Sequence, residues 1–366
     1  TGAGSNPDVS GFTVTGGSYG LEMRSGAGGI YTGNIFTGAS RSGIFLDVSG
    51  SVKVSRNTII NNGQGSLGGG INLSAAAAGT SVVISHNLIR GNRGTTGGGV
   101  YVASSIPGTI QNNLILDNHA TSTGGGVSIK AGSSALLYNN TIAMNKSNVT
   151  TSGGGVHSAG TSILKRNIVF GNQAGASALQ PDDFVDVGTS TLSYNLIGVD
   201  PVFSRGWYLE TGSPAIDGDP TMEAVDLHYL AEIGTWGTAN GVTEVSGQAD
   251  AGNADLGYHH GSGPKTVSEA NSLITAEATT IGAGGTTLIV VTPVDDQGIK
   301  FGPGQNVKVN NLAGPNDGES ISGGKDLGDG TYELEFTAGK LVGPATITVE
   351  INGVALPGKP IVINWP

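Results

Sequence analysis

The sequence has no cysteine, and across 366 residues only 12% are charged and 5% aromatic. Without thiols there are no disulfides and no thiolate metal sites. No apolar run reaches about 18 residues, so no membrane-spanning helix is encoded. Cations are outnumbered, with a formal net charge of −11 and a pI near 4.9. That balance argues against nucleic acid and anionic membrane surfaces as partners. The chain opens on "TGAGSNPDVSG" with no signal-peptide pattern, so an exported protein would be present here in processed form.

Glycine is what the chain has in excess: 64 of 366 residues, against roughly 7% in ordinary proteins. The glycines follow no three-residue period, which excludes collagen. β-branched residues run throughout, which argues against disorder.

A motif N-x-[IV]-x-x-N recurs as "NTIINN" (57–62), "NLIRGN" (87–92), "NLILDN" (113–118), "NTIAMN" (140–145) and "NIVFGN" (167–172). Looser copies are "GNIFTG" (33–38) and "NLIGVD" (195–200). The starts at 33, 57, 87, 113, 140, 167 and 195 are 24, 30, 26, 27, 27 and 28 residues apart. A period of that length marks a solenoid. The third motif position reads Ile35, Ile59, Ile89, Ile115, Ile142, Val169 and Ile197, and three residues before the motif stand Ile30, Val54, Ile84, Ile110, Leu137, Leu164 and Leu192. Both columns are aliphatic and are expected to face inward, with the residue after the motif isoleucine facing out. Period-two alternation in short runs means strands.

A second strand follows each "GGG", as in "GGGINL" (68–73), "GGGVYV" (97–102), "GGGVSI" (124–129) and "GGGVHS" (153–158). Each turn then holds short strands joined by tight corners and pairs with its copies above and below. The expected fold is a parallel β-helix with a structural asparagine ladder of Asn57, Asn87, Asn113, Asn140, Asn167 and Asn195. Asn62, Asn92, Asn118, Asn145 and Asn172 would form a second column. Stacked amides both donate and accept along such a column.

The "GGG[VI]" and "[IV]xxN" pair over residues 30–175 resembles the GGA[ILV] and FxxN repeats of the polymorphic outer-membrane proteins. Here glycine stands for the third small residue and Ile or Val for the aromatic. The resemblance implies a right-handed β-helix and an adhesive surface role. "DPVFSRGWYLETGSPAIDGDP" (200–220) and "ADLGYHH" (254–260) resemble the closing segment of secreted bacterial β-helix proteins. From about residue 263 the text changes to alternating strands with Gly/Asp turns, a β-sandwich pattern. "GDGTY" and "GPATITVEINGV" are similar to bacterial Ig-like domains of the invasin and intimin type, which implies a spacer or docking module. The expected fold class is therefore all-β, with a solenoid over 1–262, its cap at about 200–262, and an Ig-like β-sandwich over 263–366.

Catalysis on such a fold needs neighbouring acids. From Val48 to Pro181 the only acidic residue is Asp117, among Lys53, Arg56, Arg90, Arg93, Lys130, Lys146, Lys165 and Arg166. No catalytic residue is assigned. Acids return as Asp182, Asp183, Asp186, Asp200, Glu210, Asp217, Asp219 and Glu223. With Trp207, Tyr208 and Trp236 as sugar platforms, the 182–236 region is the alternative site of a polysaccharide-degrading or glycan-binding protein. His86, His119 and His157 fall at different registers of the repeat, and His259 and His260 lie at a linker. Asp250, Asn253 and Asp255 form a loop resembling an oxygen-ligand calcium site, so calcium is the one cofactor expected. The first reading is a noncatalytic extracellular adhesive, matrix or fibre protein. Its expected partners are cell-surface or polysaccharide ligands. Self-association is also expected if the first coil is open for stacking; a short cap from residues 1–10 is the equal alternative.

Overall fold

The computed structural model describes residues 6–24, 26–175, 182–204, 207–223, 253–258, 266–295, 301, 305–315, 318–327 and 330–366. Among them there are strands and turns and no helix. They form two compact units. The described residues of Thr1–Pro201, Pro214–Thr243 and Ala249–Gly261 make up the first, and those of Val202–Ser213 and Ser262–Pro366 the second.

The first unit is a parallel β-solenoid. Sheet one stacks eight strands: Asp8–Ser10, Gly29–Thr32, Val52–Ser55, Val82–Ser85, Gly108–Gln111, Ser134–Tyr138, Thr161–Lys165 and Thr189–Ser193. Sheet two stacks another eight, from Thr13–Thr15 to Leu196–Ile197. Sheet three stacks seven: Tyr19–Met23, Ser42–Val48, Ile71–Ala76, Val100–Val102, Val127–Ile129, Val156–Ser158 and Phe184–Asp186. Sheet four begins only at Arg93–Thr96 and has four strands, so later coils gain a side that the earlier ones lack.

The inward columns form one continuous core. Val54, Ile84, Ile110, Leu137 and Leu164 align across sheet one, and Ile59, Ile89, Ile115, Ile142 and Val169 across sheet two; all are fully buried. The first copy of the repeat is shifted by one residue from the expected register. Phe36, not Ile35, pairs with Ile59, and Tyr31, not Ile30, pairs with Val54. Phe36 and Tyr31 are buried, while Ile35 and Ile30 are 39% and 43% exposed. Leu192 keeps its register with Leu164 but lies in the last strand of sheet one and is exposed.

Leu116 and Ala143, which follow the motif isoleucine, keep the outward register of Arg90 yet are fully buried. A returning segment lies over the adjoining positions. Gly257 N–H donates to the Arg166 carbonyl (2.8 Å) and Tyr258 N–H to the Thr141 hydroxyl (3.0 Å). A Cβ on Gly257 would stand 2.7 Å from Ile168 Cδ1, so only glycine allows this close approach.

The corners are tight for two reasons. The residue before each ladder asparagine is left-handed: Arg56, His86, Asn112, Asn139, Arg166 and Tyr194 in one column, Asn61, Gly91, Asp117, Met144 and Gly171 in the other, with φ between +48° and +67°. Nine of these eleven are not glycine, and each non-glycine carries a backbone cost of about 1–2 kcal/mol. Within the triple glycines the roles differ. Gly124 needs its φ of +62°, whereas a Cβ on Gly126 would stand 2.8 Å from the Gly155 carbonyl oxygen of the next coil.

The second unit contains a short hairpin of Phe203–Ser204 and Tyr208–Leu209 and two larger antiparallel sheets. One holds Leu273–Ala276, Thr286–Thr292, Tyr332–Thr337, Ser320–Ile321 and Lys325–Asp326; the other holds Val307–Ala313, Gly343–Ile351, Val354–Ala355 and Ile361–Trp365. Alternate residues point inward, giving a core that includes Ile289, Val291, Tyr332, Leu334, Phe336, Ile347, Val349, Ile363 and Trp365. This is an Ig-like antiparallel sandwich.

Candidate functional site

Two asparagine ladders set the geometry of the solenoid's corners. In the first, Asn57, Asn87, Asn113, Asn140 and Asn167 each donate both main-chain N–H and Nδ2 to Oδ1 of the next member, at 2.9–3.1 Å, ending on Asn195. Nδ2 also reaches back one coil to a carbonyl, as Asn113 does to Ile84 (2.9 Å). Asn34 joins at the start, with Nδ2 on Asn57 Oδ1 at 3.2 Å; the one-residue shift of the first copy had hidden it.

The second ladder runs Asn62, Asn92, Asn118, Asn145, Asn172 at 2.9–3.0 Å and ends on a carboxylate. Asn172 N–H and Nδ2 donate to Asp183 Oδ1 at 2.8 and 2.7 Å. Asp183 is 3% exposed and its Oδ2 is buried without a protein partner. Burial pushes its carboxyl above the usual range, against the lowering effect of the Asn172 bonds.

One more carboxylate of the 182–236 region is engaged in structure as well. Asp219 is buried and accepts from Arg166 Nη1 at 3.1 Å, while Arg166 Nε donates to Asn139 Oδ1 at 2.9 Å. Burial alone would raise the Asp219 carboxyl; the Thr221 hydroxyl and amide, Arg166 and Lys165 outweigh it and hold it low. Trp207 and Tyr208 are 2% and 4% exposed and present no open ring to a sugar. Trp236 lies outside the described residues.

Of the calcium-loop residues, Asp250 lies outside the described residues and only the backbone of Asn253 is described, in a short strand paired with Asp219–Glu223. Asp255 is buried, with Oδ1 accepting the Asp217 N–H at 2.7 Å. Among the described residues no three His, Asp or Glu side chains gather as a metal would require.

An open site lies elsewhere, on the outer face of sheet three. The register aligns Glu22, Phe45, Asn72, Tyr101, Ser128, His157 and Val185 in one column along the solenoid. The corner between sheets two and three lengthens here, from three residues between Ala39 and Gly43 to seven between Asn62 and Gly70. That longer loop walls a groove of about 500 Å³ lined by Tyr19, Arg41, Phe45, Ser66, Asn72, Tyr101 and Lys130, among others. The Tyr19 and Phe45 rings lie 5.1 Å apart, with the Arg41 guanidinium 5.4 Å from the Tyr19 centroid. Arg24 stacks 4.7 Å from Phe45 and pairs with Glu22 at 2.7 Å. Among the described residues no carboxylate pairs with Arg41 or Lys130, both exposed. Asn72, 7% exposed, donates Nδ2 to the Leu67 carbonyl at 2.9 Å, and its Oδ1 is buried without a partner, as is Ser66 Oγ. Burial pushes the Tyr101 phenol up.

These features define a parallel β-solenoid with an open lateral groove, accompanied by an Ig-like sandwich. Residues 2–175 match the family model described as periplasmic copper-binding protein (NosD), and residues 268–362 match that of invasin, domain 3. No curated protein matches the chain. Similar solved structures include the Yersinia pseudotuberculosis adhesin InvE, at 26% identity over 27% of this chain and 27% of that one, with a TM-score of 0.23. The Escherichia coli adhesin FdeC is 21% identical over 32% of this chain and 38% of that one, TM-score 0.27. Invasin, titled a bacterial integrin-binding protein, is 22% identical over 32% of this chain and 23% of that one, TM-score 0.25. The chain thus spans between 23% and 38% of the length of these three structures.

The donor set of the described residues does not fit the copper of the first family description. Cysteine is absent, Met23 is fully buried in the core, and Met144 holds a left-handed corner. His86 sits at a corner, His119 in sheet four and His157 in sheet three, on separate coils. Among the described residues, soft or imidazole donors do not converge. No helix among the described residues is long and apolar enough to cross a membrane.

Proposed function

We propose that the chain is part of a noncatalytic bacterial surface protein of adhesive type, in which the solenoid presents lateral surface to ligands and the Ig-like sandwich serves as spacer or docking module. The observation that carries this reading is the match of residues 268–362 to invasin, domain 3, on a sandwich whose inward alternation fits that module. The solenoid supports it. Its repeat residues are occupied in ladders and core, and two acids at its end, Asp183 and Asp219, are buried in structural bonds. The protein would then be displayed outside the cell or on its surface and hold cell-surface ligands.

The test is adhesion by the purified chain. Beads coated with it should be retained on cultured epithelial monolayers or polysaccharide-coated surfaces well above albumin-coated beads. Retention equal to albumin on every surface would refute the adhesive reading.

A further inference from the structure

The groove on sheet three has a chemistry that neither family match describes. Its floor places one side chain per coil, Phe45, Asn72 and Tyr101, at the ~4.8 Å strand spacing. That is close to the length of one pyranose ring, so a linear glycan lying along the solenoid axis would meet each coil with one sugar. Tyr19 and Phe45, both half-buried, offer aromatic surface to the C–H faces of such rings, while Tyr101, 7% exposed, lies in the floor. Asn72 Oδ1 and Ser66 Oγ, buried and unpartnered, leave acceptors that cost free energy until an O–H donor arrives. Arg41 and Lys130 put two cations at this one place on a protein of net charge −11; the nearby carboxylates, Glu22 and Asp47, both act on Arg24, with Glu22 as its ion pair.

We propose that this groove binds a linear acidic glycan along the solenoid axis, with sugar rings on Tyr19 and Phe45 and carboxylate or sulfate groups on Arg41 and Lys130. An acidic peptide fits less well. Its main-chain donors seek a row of free carbonyls, and those of sheet three pair between coils.

The experiment is fluorescence anisotropy of the whole chain with four labelled probes: hexagalacturonate, a heparin-derived hexasaccharide, neutral cellohexaose and polyaspartate of similar charge. Saturable binding of either acidic sugar, at least about tenfold tighter than cellohexaose and polyaspartate, is expected; which acidic sugar binds tells carboxylate from sulfate recognition. The exposed double variant Arg41→Ala/Lys130→Ala should weaken binding about tenfold or more and flatten its salt dependence. Tyr19→Ala should weaken it about tenfold, with circular dichroism confirming the fold. Equal binding of polyaspartate would show a mere polyanion surface, and affinity unchanged by the double variant would place binding elsewhere; either overturns the proposal, as does no binding of both acidic sugars. These readouts use no cells, so they fail or succeed separately from bead adhesion.

Discussion

At the scale of single residues, Asp183 is the exception that tests the ladder. Each inner member of its column uses Nδ2 to reach a carbonyl one coil back, as Asn172 does to Ile142 at 2.9 Å. Asp183 offers an oxygen in that place, and Oδ2 is buried without a partner. Its carboxyl is raised above the ordinary 3.8, chiefly by burial. The folded state therefore holds the proton more tightly than the unfolded one. The stability tied to this group is complete below about pH 3.8 and is lost as pH rises through the folded value. Asp183→Asn should then stabilise the protein by about 1 kcal/mol at neutral pH, with the gain shrinking toward zero as pH falls to 4. Melting temperatures of both forms from pH 4 to 7.5 check this. A pH-independent offset, or a native form more stable at pH 7, would count against it. The sequence alone placed Asp183 among loop acids, because the segment between Asn172 and Asp183 is short and breaks the 27-residue rhythm. Only the bonds to Asn172 reveal that it stands where an asparagine would.

At the scale of strands and corners, the ladders carry the left-handed backbone beside them. Arg56, Met144 and Arg166 are poor residues for positive φ, yet each precedes an asparagine whose amide locks the turn to the next coil. Asn113→Leu keeps the branching of the native side chain but strands the Asn87 N–H and the Ile84 carbonyl, while Asn140 Oδ1 keeps the Asn113 N–H. At about 1–3 kcal/mol for each buried unsatisfied group, a loss near 4 kcal/mol is expected. Urea denaturation should show it as a lower midpoint; a loss under 1 kcal/mol would mean that the corner does not depend on its ladder. The inward columns from coil 57 to coil 172 were legible because isoleucine, asparagine and glycine repeat at fixed offsets. The first coil was not, since Ile35 and Phe36 are adjacent and either could face inward; the pairing of Asn34 decides for Phe36. The groove was hidden for a different reason. Phe45, Asn72 and Tyr101 lie on three coils at unequal spacings, and aromatics looked scarce when counted along the chain. The signal was present two residues after each "GGG", where Asn72, Tyr101, Ser128 and His157 stand in register, but nothing in their identities marks them as a column until the strands are paired. Likewise the return of Gly257 and Tyr258 onto Arg166 and Thr141 joins residues about 90 to 117 apart, beyond any local pattern.

At the scale of the molecule, two cores answer to two different periodicities. The solenoid core runs from Met23 to Val169 by stacking, each coil burying its aliphatics against the next, so its stability accumulates along the axis. The sandwich core is closed: Ile274, Ile289, Phe336, Ile347 and Trp365 come from both antiparallel sheets and need no repeat. A closed core of about 100 residues is large enough to fold alone. Residues 266–366, expressed separately, should therefore unfold in a single cooperative transition. Trp365 provides the probe, since the other two tryptophans, Trp207 and Trp236, lie outside this segment. It is 1% exposed, packs 5.7 Å from the Phe336 ring and donates its indole N–H to the Leu341 carbonyl. Its emission should be that of a buried indole in the folded fragment and shift to the red at one urea midpoint, coincident with the loss of β circular dichroism. A red emission in buffer, or two separate midpoints, would mean that the sandwich draws part of its stability from outside residues 266–366. In that case a docking module could not be moved or repeated as an independent unit, as a spacer in a surface protein must be.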